Sequence, residues 1–136
     1  MPARSKARKR ALDVLYAADL RGQDPVVSLE AAIADGEAPT NPYTETLVRG
    51  VTEHRARIDE LLGQYAQGWT LDRMPAVDRN ALRIGAFELL YADDVPDPVA
   101  VTEAVALVRN LSTDDSPSFV NGLLGSMLRD RDSLVG

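Results

Sequence analysis

The chain has 136 residues, 45% apolar and 26% charged, with 15 Lys and Arg against 21 Asp and Glu and a net charge of -6. That is the length and composition of one globular domain, 1–136, large enough to bury a core. It has no apolar run long enough to span a membrane, and the absence of cysteine excludes disulfides, thiol catalysis and cysteine-based zinc sites.

The chain begins MPARSKARKRALDVLYAADL, and five of the 15 basic side chains fall between Arg4 and Arg10. Residues 1–21 carry six basic groups against Asp13 and Asp19, a net of +4, which leaves -10 for the rest. A basic end on an acidic body suggests an arm, residues 1–10, for an anionic partner such as nucleic acid; a solvated terminus is the equally open alternative. On a helical wheel Ala7, Ala11, Val14, Leu15 and Ala18 share one side, and Arg4 and Arg8 project along the stripe of Leu15. Unpaired buried charge is very costly. The first two turns are therefore predicted to extend past the body, with cationic groups on all sides. No unbroken apolar segment follows the basic residues, so a secretory signal is not expected, and Asp13 and Asp19 argue against a mitochondrial transit peptide. A reducing, cytoplasmic setting fits the lack of cysteine.

Four dipeptides, Asp24-Pro25, Asn41-Pro42, Asp97-Pro98 and Ser116-Pro117, each read as an N-cap followed by proline at the first helical position. A short helix follows the first, closed by Gly36. After the second, Tyr43, Leu47, Val51, His54, Ile58, Leu61, Leu62 and Tyr65 form one apolar stripe, ended by Gly68. The run AVDRNALRIGAFELLY, 76–91, is apolar nearly all round and is predicted to be the central helix. Val101, Ala104, Val105, Val108 and Leu111 form the next stripe, and Val120, Leu123, Leu124, Met127 and Leu128 the last. No segment alternates apolar and polar residues for long enough to be a convincing strand. The expectation is an all-α domain of six or seven helices.

Four stretches resemble the NusB family of transcription antitermination factors, in order and in spacing. They are RKRALDVLY (8–16), VDRNALRIGAFELL (77–90), VPDPVAVTEAVALVR (95–109) and SFVNGLL (118–124). The resemblance implies a compact helical fold of two small sub-bundles. It implies binding to the boxA RNA of ribosomal RNA operon leaders, jointly with NusE, a basic small-subunit ribosomal protein. It also implies a place in the antitermination complex with RNA polymerase, supporting transcription of ribosomal RNA. The sequence departs from the family at Thr102, where Asn is usual, and at Ser118, where a basic residue is common.

With the resemblance added, Arg4, Lys6, Arg8, Lys9 and Arg10 are the expected phosphate contacts, through counterion release and forked arginine hydrogen bonds. The loop 112–119 runs into a helix start, where Ser116 and Phe119 offer a phosphate site and a stacking ring; the plainer reading is a cap and a core residue. Asp114 and Asp115 beside them would repel RNA. Tyr16, Asp78 and Glu88 are carried over from the resemblance as positions facing NusE, whose basic character suits acidic contacts. His54 lies on an apolar stripe and reads as a helix-face residue; Asp93, Asp94 and Asp97 read as a turn rather than a metal site. There is no glycine-rich phosphate loop and no Gly-x-Ser-x-Gly elbow, so neither catalysis nor a cofactor is expected. Two other readings remain: a helical protein–protein interaction module, and a regulatory subunit of an RNA-modifying enzyme. The oligomeric state stays open, and a homodimer is compatible with all three.

Overall fold

A computed structural model describes residues 2–135. Among them are eight α-helices, one 3-10 turn and no strand. The helices are α1 (Ala3–Arg21), α2 (Pro25–Ala34), α3 (Pro42–Glu53), α4 (Arg55–Tyr65), α5 (Ala76–Tyr91), α6 (Asp97–Leu111), α7 (Ser116–Arg129) and α8 (Arg131–Leu134), with the 3-10 turn at Leu71–Arg73.

The two groups of helices share α5. Helices α1, α2 and α3 pack on one another, α6 and α7 pair closely, and α4 lies against α5 and α7. Helix α5 touches both groups because its apolar residues leave no face for water: every residue from Asn80 to Leu90 is buried. Two glycines set how near its neighbours come. A Cβ on Gly50 of α3 would lie 2.3 Å from the Phe87 ring, and one on Gly85 would lie 2.6 Å from Leu124. Backbone therefore approaches side chain at a distance that only glycine permits.

Two of the four cap readings hold. Asp24 accepts a hydrogen bond from the Val26 N–H at 2.8 Å, and Asn41 from the Tyr43 N–H at 2.9 Å. The other two are corrected. Asp97 is already in the first turn of α6 behind Pro96, and Ser116 is the first residue of α7, its hydroxyl turned elsewhere. The single stripe from Tyr43 to Tyr65 is two helices, broken at His54, where ψ is 12°. The stripe looked continuous because both helices bury the same side: Tyr43, Leu47 and Val51, then Ile58, Leu61 and Leu62. At the break the His54 imidazole stacks on Tyr91, their ring centroids 3.8 Å apart. That break and the four-residue α8 bring the total from the expected six or seven helices to eight.

The projecting arm is also corrected. Helix α1 begins at Ala3 and packs from its first turn: the Asn41 amide donates to the Ala3 carbonyl at 3.3 Å and the Thr44 hydroxyl to the Ala7 carbonyl at 3.0 Å.

Candidate nucleic-acid interface

The five clustered basic residues have different fates. Arg8 is 3% exposed. Its Nε donates to both carboxylate oxygens of Glu88, at 2.9 and 3.0 Å, and its Nη1 lies 3.2 Å from Glu103 Oε1. The Tyr43 hydroxyl donates to the same Glu88 carboxylate, and Ser5 donates to Glu103 at 2.7 Å. Burial works to lower the Arg8 pKa, but the hydrogen bond and charge of Glu88, with the charge of Glu103, hold it above the ordinary arginine value. Burial and the Glu88 hydrogen bond likewise push the Tyr43 phenol well above its usual range. The condition that forbade burying Arg8 alone is thus met by a carboxylate 80 residues away.

Arg4 stays at the surface but is engaged. Its Nη2 lies 2.7 Å from Asp94 Oδ2, and its guanidinium sits 4.1 Å above the Tyr43 ring centroid. The Arg4 hydrogen bond and charge hold the exposed Asp94 carboxyl below its ordinary value. Lys6, Lys9 and Arg10 are exposed. Lys6 and Arg10 line a cleft of about 710 Å³ between α1 and residues 38–44, and make no ion pair among the described residues. Lys9 faces the other flank of α1, beside a cleft of about 250 Å³ that Asn110 and Leu111 of α6 also line; its ion pair with Asp13 is a long 4.0 Å. The exposed cationic row is therefore Lys6, Lys9 and Arg10, with a cleft on each flank.

Around the start of α7 the expected residues separate. Ser116 is buried and donates to Asp78 Oδ2 at 2.8 Å, while the Ser112 hydroxyl donates to Asp78 Oδ1 at 2.5 Å. The plainer reading, a structural role, describes Ser116, though it ties α7 to α5 rather than capping its own helix. Phe119 is half-buried and meets Trp69 edge-on, ring centroids 4.9 Å apart, beside a cleft of about 500 Å³ lined also by Gln67, Ser118 and Ser126. Trp69, 38% exposed, escaped the sequence reading because it lies outside every apolar stripe; being the only tryptophan was its one signal. It is aimed at α7 by two left-handed residues in succession, Gln67 (φ 52°) and Gly68 (φ 88°).

The three positions expected to face a protein partner also divide. Asp78 and Glu88 are both 1% exposed, and their carboxylates are spent on Ser112 and Ser116, and on Arg8 and Tyr43. Their placing on an outer face is corrected: both carboxylates turn inward to partners delivered by other parts of the fold. Tyr16 is exposed, and Leu20, one turn on and 61% exposed, extends it into an apolar pair. Beneath that pair Asp19 is tied to α5, accepting from Arg79 at 2.8 Å and Asn80 at 2.9 Å. Arg83 grips Asp59 of α4 with two hydrogen bonds, at 2.9 and 3.0 Å. Burial works to raise the Asp19 pKa, but Arg79, Asn80 and Arg83 together hold it below the ordinary aspartate value.

Fold and surface together define an all-α domain of two helical groups sharing one central helix, with a cationic row along its first helix and a small aromatic cleft at α7. A family model described as the NusB family matches residues 5–129. The chain is 72% identical over 135 residues to the transcription antitermination protein NusB of Nocardioides sp. strain JS614, across 99% of this chain and 100% of that one. It is 62% identical over 139 residues to the protein of the same name from Beutenbergia cavernae, across 95% and 91% of the two chains. Among solved structures, T. maritima NusB superposes with a TM-score of 0.84 at 30% identity, covering 96% of this chain and 93% of that one. A chain from the crystal structure of the antitermination factors NusB and NusE in complex with double-stranded RNA superposes with a TM-score of 0.79 at 29% identity, covering 93% and 96%. The chain belongs to the NusB family.

Proposed function

We propose that this protein is an RNA-binding transcription antitermination factor that binds the boxA RNA of ribosomal RNA operon leaders together with NusE. In that role it joins the antitermination complex on RNA polymerase, in the cytoplasm, as an adaptor and not as an enzyme. The observation that carries the RNA part is the exposed row Lys6, Lys9 and Arg10 on an ordered helix of a NusB-family fold. The relative crystallised with NusE and RNA supports both partners. Tyr16 and Leu20 offer an apolar contact to a protein partner, and the net charge of -10 outside residues 1–21 suits a basic one.

Coupling between the two partners follows from charge. The acidic body repels RNA everywhere but at α1, and a docked basic protein offsets that repulsion. RNA affinity is then expected to rise by roughly 5–150-fold with NusE present, and RNA tightens the NusE complex by the same factor. The test is a titration of labelled boxA-like RNA, with and without saturating NusE, repeated with scrambled RNA. Unchanged affinity on adding NusE defeats the joint-adaptor reading. An equal gain on scrambled RNA reduces it to nonspecific charge.

A further inference from the structure

The basic cluster of α1 holds one arginine that no phosphate can reach. Arg8 is 3% exposed, between Ala7 and Ala11 on the buried side, whereas Lys6, Lys9 and Arg10 are exposed. Its partners come from three other helices: Tyr43 of α3 beneath the guanidinium at 5.7 Å, Glu88 of α5 and Glu103 of α6. Were Arg8 to swing out to an RNA phosphate, Glu88, itself 1% exposed, would be left a buried carboxylate with only the Tyr43 hydroxyl. A buried charge stripped of its counter-charge is strongly unfavourable.

We propose that Arg8 is a positioning residue and not an RNA contact: its clamp on Glu88, with Tyr43 and Glu103, sets the rotation of α1 that turns Lys6, Lys9 and Arg10 outward. The proposal rests on the RNA-binding reading above. Apolar packing alone holds a helix against a core but constrains its rotation weakly where the packed residues are small. The buried residues of the first half of α1 are small or few: Ala7, Ala11 and Leu12. A planar guanidinium that gives its Nε to Glu88 and its Nη1 to Glu103, on two different helices, is directional and resists rotation. Successive residues of a helix are about 100° apart, so a turn of α1 by one residue would bring Arg8 out and carry Lys9 or Ala7 into its place. The clamp thereby decides which cations face solvent. Ser5 holds the outer carboxylate, donating to Glu103 at 2.7 Å.

The test compares labelled boxA-like RNA binding, at several salt concentrations, for the wild type and single variants checked for folding by thermal melts. Lys6→Ala, Lys9→Ala and Arg10→Ala each remove a phosphate contact, and each lowers the steepness of log affinity against log salt by about 0.7. Glu88→Gln removes a negative charge, so charge alone predicts tighter RNA binding. The clamp predicts the opposite: binding weaker by roughly 2- to 30-fold, the range for changes transmitted through a packed network, with the salt slope unchanged. Tyr43→Phe, which alters no charge, shifts affinity in the same direction. Arg8→Lys keeps the charge yet weakens binding too, because one ammonium cannot hold Glu88 and Glu103 in the geometry of a planar guanidinium.

If folded Glu88→Gln and Tyr43→Phe bind as tightly as the wild type while melting lower, the clamp is merely structural and the proposal fails. It fails equally if Arg8→Lys binds like the wild type. Should the wild type bind no RNA at any salt, the RNA reading falls by itself, and the clamp is judged by amide hydrogen exchange. Residues 6–10 are then expected to exchange slowly in the wild type and fast in Glu88→Gln and Tyr43→Phe; equal protection overturns the clamp.

Discussion

The Asp78 carboxylate accepts a hydrogen bond from the Ser116 hydroxyl at 2.8 Å, so the first residue of α7 is tied to the first turn of α5. A second bond, from Ser112 at 2.5 Å, closes the turn between α6 and α7 onto the same carboxylate. Replacing Asp78 by Ala leaves two serine hydroxyls short of their acceptor in a largely dry site. The expected loss is about 1–3 kcal/mol, read as a lower urea midpoint with an unchanged m-value. A midpoint within error of the wild type would show that water satisfies the serines.

Acid should expose the Asp19 contacts. Asp19 titrates below its ordinary value in the folded protein because Arg79, Asn80 and Arg83 outweigh its burial. A depressed carboxylate contributes fully above its unfolded pKa, about 3.9, and that contribution fades as pH falls through the lower folded value. Asp19→Asn is therefore expected to destabilise at pH 7 and to flatten the stability loss below about pH 4, measured by urea unfolding across the range. Parallel pH profiles for the two proteins would contradict this.

Gly50→Ala places a methyl 2.3 Å from the Phe87 ring, which is buried and cannot retreat freely. Overpacking of this kind costs typically about 1–3 kcal/mol. A thermal melt reads it. An undiminished Tm would mean that α3 shifts on α5 at little cost.

Trp69 reports on the cleft at α7, since it is the only tryptophan. Phe119→Ala removes the edge-on partner 4.9 Å away, so emission is expected to move to longer wavelength and stability to fall by more than the ~0.5–1.5 kcal/mol of the aromatic pair alone. If RNA bases stack at Phe119, boxA-like RNA quenches Trp69 in the wild type. Emission that ignores saturating RNA would place the base contacts elsewhere.

Asp114 and Asp115 are both exposed beside the start of α7. The double change to Asn removes like charge from the neighbourhood of the RNA and is expected to tighten binding by roughly 2- to 5-fold at low salt, with the gain shrinking as salt screens it. A gain that persists undiminished at high salt would point to a cause other than charge.

Local pattern was enough to locate most of the fold. The spacing of apolar residues is a property of neighbours three and four apart, so α1, α5, α6 and α7 were legible, as were the starts at Asp24 and Asn41, whose cap bonds span two residues. The composition of 76–91, apolar nearly all round, likewise marks it as the central helix. The break at His54 was not legible, because α3 and α4 bury the same side and the stripe runs through it. The fate of each charge was decided only in three dimensions. Arg8 and Lys9 are adjacent and both cationic, yet one is buried and the other exposed. The difference is Glu88, 80 residues on, and a buried ion pair is a relation between two distant places that neither place records alone. Asp78, Glu88 and Ser116 turned inward for the same reason: a polar group can enter a core wherever the fold delivers its partner, and that delivery is a matter of tertiary structure.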